Sequence, residues 1–148
     1  MAQGTLTLFE EFAKNIGDGS HDLDGDTLAV ILITTLPTAG TATPDRADFT
    51  ECTNGGGYST GGISLTGVSW TEVAGVATLD STLNPSWTAS AGSPTNIVAA
   101  LLVNNTHVGS NDAIGFIDMT VDAGTTPISL VAGNVTLTWN GSGIFTLS

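Results

Sequence analysis

An all-β fold, a single antiparallel β-sandwich of the jelly-roll kind, is what this sequence predicts. Three observations carry that expectation. Short apolar or alternating runs recur between clusters of Gly, Asn, Asp and Pro. Two runs, residues 28–36 and 96–103, are largely apolar, as central strands covered on both faces are. Only one short stretch, residues 5–16, shows helical spacing.

In that stretch Leu8, Phe9, Phe12 and Ile16 fall at helical intervals and Gly17 stops the turn. A strand or an extended arm remains open for so short a segment, so residues 1–16 are expected as an N-terminal arm or short helix. Residues 17–148 are expected as the sandwich. Residues 28–36 form a central strand closed by Pro37. Residues 38–48 read as loop, with Thr43-Pro44-Asp45 starting one turn of helix and carrying Phe49 inward. Residues 52–62 are a glycine-rich loop that exposes Tyr58.

Residues 63–70 alternate, and their phase shifts near Gly67, which suits a bulge. Residues 72–79 return as the hairpin partner, turning near Ala74-Gly75. Asn84-Pro85-Ser86-Trp87 begins a further strand or turn, and residues 113–121 form another strand. Val135, Leu137 and Trp139 share one face of a strand over residues 134–139. Asn140-Gly141-Ser142-Gly143 then turns that strand back into residues 144–147. Trp70, Trp87 and Trp139 are expected in the core.

Composition narrows function. The 148 residues contain Lys14 and Arg46 as the only Lys or Arg, and the net charge is −12. Two cations cannot form the patch that phosphate backbones or anionic membranes require, so neither nucleic acid nor membrane is an expected partner. No apolar run reaches the length of a membrane span. The first residues lack the basic and apolar regions of a signal peptide, so synthesis in a cytoplasm is expected. Cys52 is alone, which excludes an intrachain disulfide and leaves a core thiol, the favoured reading, or a cross-link to a partner chain.

The residue types that build active sites are scarce. His21 and His107 sit in no nucleophile motif, and no Gly-x-Ser-x-Gly elbow occurs. Two His and one Cys are too few for most zinc sites. Asp22, Asp24 and Asp26 form a weak Ca²⁺ candidate. The glycine falls before the third acid rather than after it, and Ile33 stands where the bidentate Glu of an EF-hand belongs. A solvated acidic turn is the favoured reading. The glycine-rich loop lacks the Lys of a phosphate loop. Neither cofactor nor catalysis is expected.

Several segments together form a pattern that covers nearly the whole chain. They are residues 4–13 (Gly-Thr-Leu-Thr-Leu-Phe-Glu-Glu-Phe-Ala), 21–27 (His-Asp-Leu-Asp-Gly-Asp-Thr) and 47–51 (Ala-Asp-Phe-Thr-Glu). To these add the glycine-rich loop with Tyr58, residues 87–95, 113–118 and 139–145. The pattern resembles a family of small virion proteins from tailed bacteriophages, taken as head decoration (cement) proteins or as fibre-like proteins. The resemblance implies a non-enzymatic structural protein on the capsid exterior. Its implied partners are the major capsid protein and further copies of itself, a trimer being one arrangement. A head-fibre, tail or receptor-binding module is the alternative. Leu6, Leu8, Phe9 and Phe12 of the arm, with Tyr58 of the loop, are the expected contact residues.

Overall fold

The two apolar runs become neighbouring strands at the centre of a five-stranded sheet. The computed structural model describes residues 4–109 and 111–148. Along the chain the elements are β1 (Leu6–Leu8), α1 (Phe12–Gly17), β2 (Leu28–Ile33), a 3-10 turn (Arg46–Asp48), β3 (Ile63–Ser64), β4 (Ser69–Val73) and β5 (Val76–Asp80). They continue with β6 (Ser86–Trp87), β7 (Ala99–Asn104), β8 (Ala113–Asp118), β9 (Val135–Thr136) and β10 (Phe145–Leu147). The large sheet has the order β1-β8-β7-β2-β3. A three-stranded sheet, β10-β5-β4, and a two-stranded one, β6-β9, accompany it. Every pairing is antiparallel, as the all-β expectation requires.

Every residue of β2, β7 and β8 is buried. Successive side chains point to opposite faces, so both faces of this sheet are covered. Leu28, Val30 and Leu32 enter the main core with Leu102, Ile114 and Ile117. There they meet Leu79, Trp87, Val135, Leu137 and Ile144 from the smaller sheets and adjoining loops. Ala29, Ile31 and Ile33 face the other way, with Leu101, Val103 and Phe116. Phe9 closes that second core, packing 5.3 Å from Phe116 and 5.7 Å from Phe49 between ring centroids.

A bulge sets the phase of β8. Leu102 pairs with Gly115 and Val103 with Ala113, leaving Ile114 as the extra residue. Ile114 and Ile117 therefore reach the same core although three positions apart.

Two expected strands prove to be pairs of strands that change sheets. Residues 63–70 are interrupted: β3 pairs with β2, whereas β4 pairs with β5. Gly67, at φ +60, sits at the break with no room for a Cβ against Thr82. The expected hairpin of residues 134–147 splits likewise. An isolated bridge from Asn140 to Gly143 keeps the turn, but β9 pairs with β6 and β10 with β5. Short strands that part after a turn stitch the two smaller sheets together where one long hairpin would leave them separate.

The turn between β4 and β5 is a two-residue connection in which Ala74 and Gly75 both have positive φ, 53° and 86°. Such turns favour Asn-Gly, because Ala in this region strains its Cβ. Ala74→Asn should raise stability by about 1 kcal/mol, read from urea melts. Phe116→Ala, which empties the second core, should cost about 3–5 kcal/mol in the same assay.

Candidate interaction surface

The N-terminal segment is not a free arm. Residues 6–8 pair in register with residues 115–117 as the edge strand of the large sheet. Thr5 and Thr7 alternate with Leu6 and Leu8, a pattern of period two, and the sheet edge captures it in preference to a helix. Helix begins only at Phe12. Phe9 and Phe12 are each 2% exposed, so the reading of them as contact residues is corrected: they are core side chains. Leu6 and Leu8 are partly buried and pack against the main core. The boundary expected near residue 16 is absent from the packing, since β1 and α1 are built into the body. Residues 1–3 of the expected arm lie outside the described residues.

Tyr58 is also corrected. It is 1% exposed, and its ring lies 6.4 Å from that of Trp87. Its hydroxyl donates to Glu51 Oε1 at 2.5 Å and accepts from the Leu32 amide at 3.1 Å. Gly61 N also donates to Glu51 Oε1, at 2.6 Å. The loop folds inward because glycine lets its backbone approach others closely: a Cβ at Gly57 would strike the Thr88 carbonyl. Burial, with Glu51 beside it, pushes the phenol far above its ordinary value. Cys52 is buried too, and burial pushes its thiol up to about 11, so it is an inert core group.

In the acidic turn of residues 22–26, the carboxylates of Asp22 and Asp26 accept hydrogen bonds. Asp22 Oδ1 accepts from Gly25 N at 3.1 Å. Asp26 Oδ2 accepts from Asp22 N at 2.9 Å and from Asn104 Nδ2 at 2.6 Å. Burial alone would raise the Asp26 carboxyl, but these bonds hold it below its ordinary value. Among the described residues no three His, Cys, Asp or Glu side chains are grouped to hold a metal ion. Asp22, Asp24 and Asp26 are turn residues here.

The loops at this end of the large sheet meet around Asp112, which is fully buried. Asp112 Oδ1 accepts from Arg46 N at 2.6 Å, and Oδ2 from Arg46 Nε at 2.7 Å. Arg46 also donates to Asn105 Oδ1 at 2.6 Å. Asp45 caps the 3-10 turn that presents Arg46, as Thr43-Pro44-Asp45 foreshadowed. The buried pair was not legible in the sequence, because Arg46 and Asp112 lie far apart along the chain and neither belongs to a motif.

Glu10, Asp18, Asp22, Asp24 and Asp48 are exposed on the loops around this end, and the guanidinium that would offset them is committed to Asp112. Elsewhere the surface is Thr-, Ser- and Gly-rich, interrupted by exposed valines and by the exposed acids Glu72, Asp80 and Asp122. Val73 (74% exposed) and Val76 sit opposite each other at the tip of the β4–β5 hairpin. Val108, Val121 and Val131 are separate exposed points on loops. A groove of about 610 Å³ runs beside β1, between Leu6, Ile117 and Met119 on one side and Leu137, Trp139 and Ile144 on the other. Trp87 is core, whereas Trp70 and Trp139 are only partly buried.

His21 is 3% exposed with Nδ1 bonded to Asn104, and Cys52 is sealed in the core. Removing the arginine from the Asp112 pair would leave a buried carboxylate without its counter-charge. Arg46→Ala should therefore cost about 3–5 kcal/mol in urea melts, more than truncating any exposed acid.

No protein-family model, no curated protein and no solved structure matches this chain.

Proposed function

We propose that this protein is a non-enzymatic virion structural protein, a decoration protein that binds the outer surface of a phage head and reinforces contacts between major capsid subunits. The observation that carries this reading is where the chemistry-bearing side chains are spent. His21, Cys52, Tyr58, Asp112 and Arg46 all serve internal packing or bonding. What faces outward is a largely Thr- and Ser-rich surface with isolated apolar points, a cluster of acids at one end and three further exposed acids, Glu72, Asp80 and Asp122, elsewhere. Such a surface desolvates few charges on contact with another protein, which suits an area-based interface. The antiparallel body supplies the rigidity that such a role needs.

The contact surface is reassigned within this reading. With Phe9, Phe12 and Tyr58 in the core, the surfaces favoured are the groove beside β1, lined in part by Leu6, and the β4–β5 tip, bearing Val73 and Val76. Deleting residues 2–12 would remove an edge strand and two core aromatics, so it tests folding rather than binding.

Quantitative mass spectrometry of purified virions provides the first test. A copy number in a simple ratio to the major capsid protein is expected. A few copies per particle would move the protein to a fibre, neck or tail. Val73→Glu with Val76→Glu should leave the melting temperature nearly unchanged and weaken capsid binding at least about tenfold, as hot-spot losses do. Unchanged binding would remove the hairpin tip from the interface.

A further inference from the structure

We propose that residues 12–27 are held to the end of the central sheet by a proton-sensitive latch, in which Asn104 grips His21 and Asp26, and that protonation of His21 releases this segment.

The geometry starts from Asn104, which is fully buried at the end of β7. Its Oδ1 accepts from the amides of Thr106 at 2.9 Å and His107 at 3.3 Å. Its Nδ2 lies 2.6 Å from Asp26 Oδ2 and 3.1 Å from His21 Nδ1. The amide cannot be turned over. A flip would set Nδ2 against two N–H donors and Oδ1 against a carboxylate. Asn104 is therefore the donor to His21, and His21 Nδ1 must be an acceptor without a proton. The imidazole is neutral, with its proton on Nε2.

A second proton has nowhere to go. On Nδ1 it would confront the Asn104 N–H and break that bond. Nε2 is buried and bonds to no protein group. The ring lies 5.9 Å from that of Phe12 in α1. Asn15, also in α1, is fully buried with no side-chain partner, and its carbonyl accepts from the His21 amide at 3.2 Å. The α1 end of the segment is tied to His21 through the Asn15 carbonyl, while Phe12 and Leu23 stay anchored in the main core, so release here is a local opening of the segment and not its detachment.

The charged groups acting on the ring are known from every side. Asp26 in the same loop, Asp18 after α1 and Asp112 before β8 favour the cation, and His107 opposes it. Asp26 is already bonded to Asn104 and to the Asp22 amide, and Asp112 is paired with Arg46. Burial outweighs the carboxylates and holds the proton affinity of His21 below its ordinary value. The sign follows. A released His21 regains a value of about 6.5. The latch is intact above that pH and weakens as pH falls through it toward the folded value. Loss of Asp26 ionisation would act in the same direction, but only in the more acidic range of a carboxyl.

Hydrogen exchange by mass spectrometry on the full chain, at about pH 7.5 and about pH 5, reads the latch. After correction for intrinsic exchange, protection of residues 12–27 should fall about tenfold per unit of lost proton affinity, while β2, β7 and β8 keep theirs. His21→Asn retains an acceptor for Asn104 but does not titrate, so it should abolish the acid-dependent loss. Persistence of that loss in the variant, or its absence in the natural chain, would overturn the proposal. Should the variant fail to fold, nitrogen chemical shifts of His21 in the natural chain decide. A neutral Nε2–H tautomer that titrates only as residues 12–27 lose protection is expected. Ordinary titration with the segment still protected would refute the latch.

Discussion

Burial of β2, β7 and β8 on both faces is the constraint on which the rest of this structure depends. A sheet with one wet face needs one covering layer; this one needs two. The smaller sheets cover the first face. On the second, Phe9, Phe49 and Leu36 lie over Ala29, Ile31, Leu101 and Phe116. Phe9 reaches that position because β1 pairs with β8 and delivers the chain there. The N-terminal segment is thereby drawn into the body, and its aromatics become structural.

The same burial creates a polar problem at the sheet ends. Strands this enclosed leave their terminal groups little access to water, so most find a partner within the protein, Asp118 Oδ2 at the end of β8 being an exception. Asn104 supplies both donors and acceptors at the end of β7, and Asp112 accepts from Arg46 just before β8. Long side chains and loops from distant parts of the sequence converge there. The guanidinium is consumed, and the acids left on the surrounding loops face solvent. Charge at this end is thus a by-product of how the core is closed, and the exposed acids are sparser over the rest of the surface, at Glu72, Asp80 and Asp122.

For a binding role this division has a physical merit. Exposed valines on the hairpin and loops, set among hydroxyl side chains, desolvate at little cost. The acidic end resists close approach of another acidic molecule, and so favours orientations that keep it outward. A chain of this net charge can crowd a surface without aggregating, provided its contacts lie elsewhere.

The sequence by itself determined the fold class, the central strands and several turns. Apolar runs at residues 28–36 and 96–103, and Ala74-Gly75 between alternating strands, are local signals whose physics is local. The 3-10 turn at Arg46–Asp48 was legible for the same reason: Asp45 caps it from its own neighbourhood. Which strands pair was not legible. Residues 63–70 read as one strand and residues 134–147 as one hairpin, yet both divide between sheets. Nor was the burial of Phe9, Phe12 and Tyr58, which looked like contact residues of an arm and a loop. Tertiary structure decided these, because whether a side chain meets solvent depends on segments far away in sequence. Tyr58 is buried by Glu51, Leu32 and Trp87 acting together, and no periodicity within residues 52–62 carries that information.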